Sequence, residues 1–483
     1  MPTTVVWLRH SLRLSDHAAL THAAERGAVV PLFIWAPDEE GDWPPGGAHR
    51  WWLRQSLEAL GASLGDAGSR LIVRKGPSLD ALRDIAETTG ADRVVWQTRY
   101  EPAMRARDAE VAEALGADGV ETRQFAGRIL HDPDSVRTGS GGPYKVFGPF
   151  FRKMVAETAI GEPLPAPDLS DAAPAAWPDT LDLDALPLTA VQQDGVDWAE
   201  TMRDTWAPGE AGANARLQTF LDEALLDYDD LRNVPGDEGT SRLSPHLHWG
   251  EISPRQAWAA ADAWVTNGAT REAADKFLSE LGWREFSYHV LHHYPETPSA
   301  PLKEKYAAFE WSPDADLLAA WQRGQTGYPI VDAGMRQLWA EGWMHNRVRM
   351  ITGSFLTKDL LQPWQDGAAW FWDTLCGGDL ANNSMGWQWV AGSGADAQPF
   401  FRVFNPVSQS KKHDPDGAYL RRWLPELAEL PTKHLHAPWA APEKVLADAG
   451  VTLGETYPDP VVWHADQREE ALRRLKAMND AAG

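Results

Sequence analysis

Cys376–Gly392 reads CGGDLANNSMGWQWVAG. Two glycines precede an acid, Asn382 and Asn383 follow, and Trp387 and Trp389 flank a glutamine. The run is too polar for ordinary core and too aromatic for an ordinary loop. Glycines let a backbone approach a flat ligand closely, amides offer donors and acceptors to heteroatoms, and indoles present apolar faces. The combination suits a buried aromatic cofactor. On this stretch alone, a glycine-rich turn ahead of a buried helix fits equally well.

On either side of this run, the pattern from Ala213 almost to the end is helical, with Pro and Gly as punctuation. Before it, Pro163–Gln193 is rich in Pro, Ala and Asp with little periodicity, which is linker composition. At the N-terminus, Thr3–Leu8, Ala28–Trp35, Arg70–Arg74 and Arg93–Trp96 are short apolar runs separated by helix-like stretches at Trp51–Leu64 and Leu79–Thr88. Strand and helix alternating at this spacing predict a parallel α/β unit. No glycine-rich dinucleotide fingerprint follows the first strand, where WLRHSLRLSDH is basic and polar. The expected architecture is an α/β domain with a Rossmann-like parallel sheet over 1–135, an interdomain linker over 136–205 and an all-α domain over 206–478.

The chain has 483 residues and a hydrophobic fraction of 43%, as in globular proteins with large cores. No apolar run approaches the length that spans a bilayer, and MPTTVVWLRH lacks a signal-peptide layout, so a cytoplasmic protein without a membrane partner is expected. A single cysteine, Cys376, excludes internal disulfides and multi-cysteine metal sites. His289, His292 and His293 have helical metal-binding spacing, but no carboxylate in that run completes a site, so no metal is expected. The net charge of −24 argues against a generic nucleic-acid binder. Charge is uneven, however. From Leu380 to Lys412 Asp396 is the only acid, against Arg402, Lys411 and Lys412, whereas acids crowd Asp38–Asp42 and Asp227–Asp230. An acidic shell around a local basic face is compatible with DNA binding. Such a shell suits a protein of an acidic proteome in a salt-rich cytoplasm.

GDLANNSMGWQW is followed by FFRVFNP and YLRRWLPEL, and preceded in order by EGTSRLSPHLHWGEISPRQ, ELGWREF and TGYPIVDAGMRQLWAEGWMHNRVRMITGSFLTKDLL. Together with the opening WLRHSLRLSDH, these motifs resemble the DNA photolyase and cryptochrome family over nearly the whole chain. The resemblance implies FAD, active in its reduced form FADH−, in the helical domain. Thr240, Ser241, Arg242, Leu243 and Ser244 offer hydroxyls, amides and a guanidinium at a helix start, which suits a diphosphate or simply a helix cap. The resemblance makes them the pyrophosphate loop, with Tyr228 upstream. It puts Gly377, Gly378 and Asp379 against the ribityl and isoalloxazine groups and Asn383 against flavin N5, where an amide tunes the cofactor. It also pairs Arg349 with an Asp at the position that is Gly377 here. A buried Arg without a carboxylate is costly, so another acid or a phosphate must serve it, or the local geometry differs.

Glu280, Trp283 and Ser287 share one helical face and Asn346 and Met350 another, as amphipathic surfaces also do. By resemblance they wall the pocket for a pyrimidine dimer flipped out of DNA, where Glu280 bonds the 5′ base, Trp283 stacks on the lesion and Trp389 closes the pocket. Arg284, Arg347, Arg402 and Gln409 join Glu280, Trp283, Ser287 and Asn346 on the DNA side. Ser287 replaces a common aromatic, which predicts a roomier edge. Trp311, Trp364 and Trp387, among 25 tryptophans, match the family's electron-transfer chain. The α/β domain implies an antenna pigment, deazaflavin or folate. YEPAMRARD lacks the acid expected of folate binders and is closer to the deazaflavin pattern. The implied activity is light-dependent splitting of cyclobutane pyrimidine dimers by a monomer acting on DNA. The rival readings are a cryptochrome photoreceptor, a (6-4) photolyase, for which His345 is present within the dimer-type MHNRVRM, and a non-catalytic module with stacking tryptophans.

Overall fold

The computed structural model describes residues 1–189, 197–266, 268–397 and 401–481. β1 (Thr3–Leu8), β2 (Ala28–Trp35), β3 (Ile72–Lys75), β4 (Arg93–Gln97) and β5 (Glu121–Phe125) form one parallel sheet in the order β3-β2-β1-β4-β5. Every residue of β1 and β2 is buried, as expected of central strands covered on both faces. The crossovers include α1 (Ala18–Ala24), α2 (Gly47–Asp66), α3 (Ser78–Thr89) and α4 (Pro102–Ala117). The apolar runs predicted β1 to β4 and missed β5. Its sequence ETRQF is polar because it lies half-exposed at the sheet edge.

The segment read as linker behaves differently from its composition. Val29 N donates to Ala172 O at 2.8 Å, Val73 N to Thr180 Oγ1 at 2.9 Å, and Leu181 N to Val73 O at 3.1 Å. Leu169, Leu186 and Leu188 are buried in the core of the α/β unit. This stretch is a strap along the sheet, held by a few leucines that its prolines and acids conceal. Residues 190–196 of the expected linker lie outside the described residues.

The C-terminal half is helical. Its central element, Leu380–Ala391, packs against the long helix Gly268–His293, against Asn346–Ser354 and against Trp364–Thr374. Trp321, Trp364, Trp387, Phe355 and Phe371 fill the core beside it. The sheet domain plus helical domain is thus the α/β plus all-α architecture expected from the sequence.

Glu251 joins the halves. It is fully buried and accepts hydrogen bonds from Trp52 Nε1 at 3.0 Å, from Gly209 N at 2.8 Å and from Ser56 Oγ, and it pairs with His246. Glu251→Ala orphans these buried donors, each at a cost of roughly 1–3 kcal/mol. The expected outcome is a lower urea midpoint with an unchanged slope, partly restored in Glu251→Gln, measured by far-ultraviolet circular dichroism.

Candidate active site

The Gly377–Asp379 loop lies where the helical half meets the α/β unit. A Cβ at Gly377 would come within 2.7 Å of Pro245 Cα and 2.9 Å of the Ser244 carbonyl carbon, so glycine is required for this loop to touch the loop Thr240–Ser244. At Gly378 a Cβ would meet His49 Nε2 at 2.8 Å, and Gly378 N donates to that atom at 3.1 Å. Asp379 caps the helix Leu380–Ala391 by accepting from Asn382 N at 3.0 Å. Its other oxygen accepts from Arg128 at 3.2 Å and from the Tyr288 hydroxyl. Arg128 also donates to His248 O and Tyr288 Oη, each at 2.8 Å. Asp379 is therefore occupied by protein partners, and burial of its carboxylate is overcome by His248, Arg128 and Arg284, which hold it well below the usual carboxylate range.

His49 stacks on His248 with ring centroids 5.0 Å apart, and His10 meets His248 edge-on at 4.6 Å. His49 and His248 are buried and His10 half-buried. Burial pushes their basicity down, His248 to about 4, so the cluster is neutral.

Two arginines behave differently. Arg242, expected at the pyrophosphate, has φ 51° and lies over the Trp343 ring at 4.3 Å with Trp206 at 5.1 Å, ion-paired to Glu341. Its guanidinium thus anchors the loop to the core. Thr240 and Ser241 stay half-buried beside it, Ser244 is exposed, Leu243 is buried and Tyr228 packs edge-on to Phe220 at 5.4 Å. Arg349 has the opposite situation. Its Nε donates to Met344 O at 2.7 Å, and among the described residues it has no acidic partner. Burial lowers its basicity to about 10. Arg349 is half-buried, which leaves its guanidinium charge open to an anionic ligand.

On the substrate side, Glu280 pairs with Arg232, and Arg347 donates to Asn233 Oδ1 at 2.6 Å. The turn Arg232–Asn233 thus bridges the helices that carry Glu280 and Arg347. Trp283 stacks on Phe147 with centroids 3.8 Å apart at 11°. Asn346 and Arg402 are exposed, and Met350, Trp389 and Gln409 half-buried. Asn383 is buried and donates to Ala368 O at 2.9 Å. Trp364 and Trp387 are buried in the core cluster on which Trp311 also packs.

Arg284 and Ser287 both have partners within the protein. Arg284 is buried against Glu285, 3.2 Å away, and over Tyr288, which removes it from a DNA-facing surface. Ser287 donates to Trp283 O at 2.9 Å and lies 3.2 Å from Met385 Sδ. Ser287 and Met385 line a small cavity together with Val290 and Leu302.

Residues 4–168 match the DNA photolyase family and residues 277–477 the FAD binding domain of DNA photolyase. The chain is 47% identical to a deoxyribodipyrimidine photo-lyase of Agrobacterium fabrum over 98% of both sequences. The chain belongs to the DNA photolyase and cryptochrome family. It is also 39% identical to cryptochrome-2 of Arabidopsis thaliana, over 99% of this chain and 79% of that protein. A crystal structure of a bacterial class III photolyase from Agrobacterium tumefaciens superimposes with a TM-score of 0.94 and 46% identity, over 99% of this chain and 98% of that one. Membership brings FAD with it, and the lone Arg349 accords with that.

Sequence reasoning missed several residues of this photolyase-family site. His49 and Arg128 come from the α/β half, and no spacing in the sequence connects them to Asp379. Phe147, which backs Trp283, precedes it by far in the chain. Arg232 and Asn233 directly follow the acidic Asp227–Asp230 stretch, where their role is masked.

Gly377→Asp should force the two loops apart at a cost of ~1–3 kcal/mol, lowering FAD retention roughly tenfold, as read by the flavin-to-protein absorbance ratio after purification. The neutral histidines set a pH dependence. Below the unfolded histidine value near 6.5 the unfolded chain takes up protons that His248 refuses until about 4, so stability falls as pH drops through that window. Thermal melts from pH 7.5 to 4 should show this fall, and His248→Gln should flatten it.

Proposed function

We propose that this protein repairs cyclobutane pyrimidine dimers in DNA under light, as a cytoplasmic monomer using reduced FAD. The observation that carries this reading is the arc Glu280–Arg232–Asn233–Arg347. It joins the two helices expected to wall the lesion pocket and gives the mouth a basic rim continued by exposed Arg402. When bound and photoexcited, reduced FAD supplies the electron that opens the cyclobutane ring and receives it back.

The chain's own residues position, bind and exclude water. Thr240 and Ser241 hold the diphosphate side, and Arg349 supplies positive charge beside the cofactor. The amide nitrogen of Asn383 is held by Ala368 O, so its carbonyl oxygen is the atom left to accept a hydrogen from the cofactor edge. Trp283, with one ring face covered by Phe147, offers the other to the lesion. Glu280, steered by Arg232, bonds the base, while Arg347 and Arg402 take backbone phosphates. Flipping costs less for a dimer, which pairs and stacks poorly, and this gives selectivity. An antenna pigment, deazaflavin or folate, would belong to the α/β domain, at the crevice where the strand order reverses.

The photoreceptor reading has the cryptochrome relatives in its favour and needs no lesion pocket. Anaerobic illumination of a thymine-dimer oligonucleotide with the reduced holoprotein separates the two. Light-dependent dimer loss is expected. Loss of a hydrogen bond to a charged group, ~1.5–3 kcal/mol, should make Glu280→Ala about 10–100-fold less efficient. Normal flavin photoreduction with no dimer loss would establish the photoreceptor instead. Arg402→Ala should weaken DNA binding and reduce the salt slope by about one.

A further inference from the structure

The last turn of the long helix Gly268–His293 ends in two adjacent histidines that the proposed repair chemistry does not use. Facing them is the turn Asp132–Ser135, which follows β5. Asp134 Oδ2 lies 3.1 Å from His292 Nε2, and Pro133 O lies 3.0 Å from His293 Nε2. One oxygen of Asp134 and one nitrogen of each histidine all lie within 4.8 Å of one another. Among the described residues this is the only such group of three.

We propose that Asp134, His292 and His293 bind a single divalent transition-metal ion of the zinc class. Two imidazoles and a carboxylate form a donor set that zinc favours, with bonds of roughly 2.0–2.2 Å. The ligand atoms must close by about an ångström, which is within the reach of side chains at a helix end and on a surface turn. Pro133 O or water completes the coordination. Arg137 pairs with the other oxygen of Asp134 at 2.6 Å, orienting the carboxylate as an outer partner does.

Asp134 lies 158 positions from His292, which is why the histidine run read in isolation lacked its acid. Bound metal would clip the segment leaving the α/β domain to the end of the helix that carries Glu280 and Trp283.

The test uses tag-free, flavin-loaded full-length protein, cleared of metal with chelator and titrated calorimetrically with zinc chloride. One zinc per chain is expected, with a dissociation constant on the order of micromolar. His292→Ala combined with His293→Ala should abolish binding, and Asp134→Asn should weaken it at least tenfold. Asp132→Asn should leave it unchanged. Zinc should also slow hydrogen exchange across residues 131–137 in the wild type and not in Asp134→Asn. Absence of saturable binding, or equal affinity in Asp134→Asn, overturns the proposal. Because Asp134 is exposed, that variant decides the matter even if the double histidine variant fails to fold.

Discussion

The buried carboxylate of Asp379 is the joint on which the arrangement depends. Taking a carboxylate out of water costs several kcal/mol unless partners satisfy it, and its partners come from three separate parts of the chain. Asn382 belongs to its own helix, Tyr288 to the long helix, and Arg128 to the segment leaving the sheet. Arg128 in turn holds the carbonyl of His248. One ion pair thus fixes the cofactor loop, the helix bearing Glu280 and the exit from the α/β domain relative to each other. The neutral His10–His49–His248 cluster fills the remaining space without adding positive charge that would compete with Arg128. The α/β unit therefore shapes the catalytic half mechanically, whatever pigment it carries.

The division into sheet and helices was legible because it rests on periodicity. β1 to β4 announce themselves as buried apolar runs, whereas β5 and the strap over residues 165–189 do not, since an edge strand and an extended strap bury few side chains. The packing of the site was legible at Gly377 and Gly378, where small residues announce a close backbone approach and the fold has one. It was not where the deciding contact is long-range. Arg242 sits in a motif that reads as a phosphate loop, yet Trp343, Trp206 and Glu341 claim its guanidinium. Arg284 looks like a basic residue beside the pocket until Tyr288 and Glu285 bury it. Cation–aromatic and ion-pair partners of this kind have no fixed spacing in sequence.

The glycine at 377 and the unpaired Arg349 are two sides of one design. The sequence raised a conflict, a buried arginine without its acid, and the backbone answers it. With Gly377 pressed against Ser244 and Pro245, the two cofactor loops touch. Arg349 then keeps its charge for the ligand. Burial weakens that charge, and an anion placed beside it recovers the loss, so an anionic ligand gains where a neutral one would not. On the proposed reading, an unpaired Arg349 favours a negatively charged cofactor over a neutral one.

Charge acts similarly on a larger scale. A chain of net charge −24 repels DNA at distances beyond the contact shell. The rim formed by Arg232, Arg347 and Arg402 opposes this, and Arg232 is already partly neutralised by Glu280. With so few phosphate contacts, undamaged duplex should be held weakly, since non-specific affinity comes almost entirely from phosphates. On the proposed repair reading, affinity for a lesion comes from what undamaged DNA does not offer, a base pair that leaves the stack at low cost and enters a pocket beside Trp283. The acidic surface lowers the background against which that difference is read. Salt, which screens the repulsion over about 8–10 Å, weakens the few phosphate contacts as well, and leaves the pocket's share of the binding largely intact.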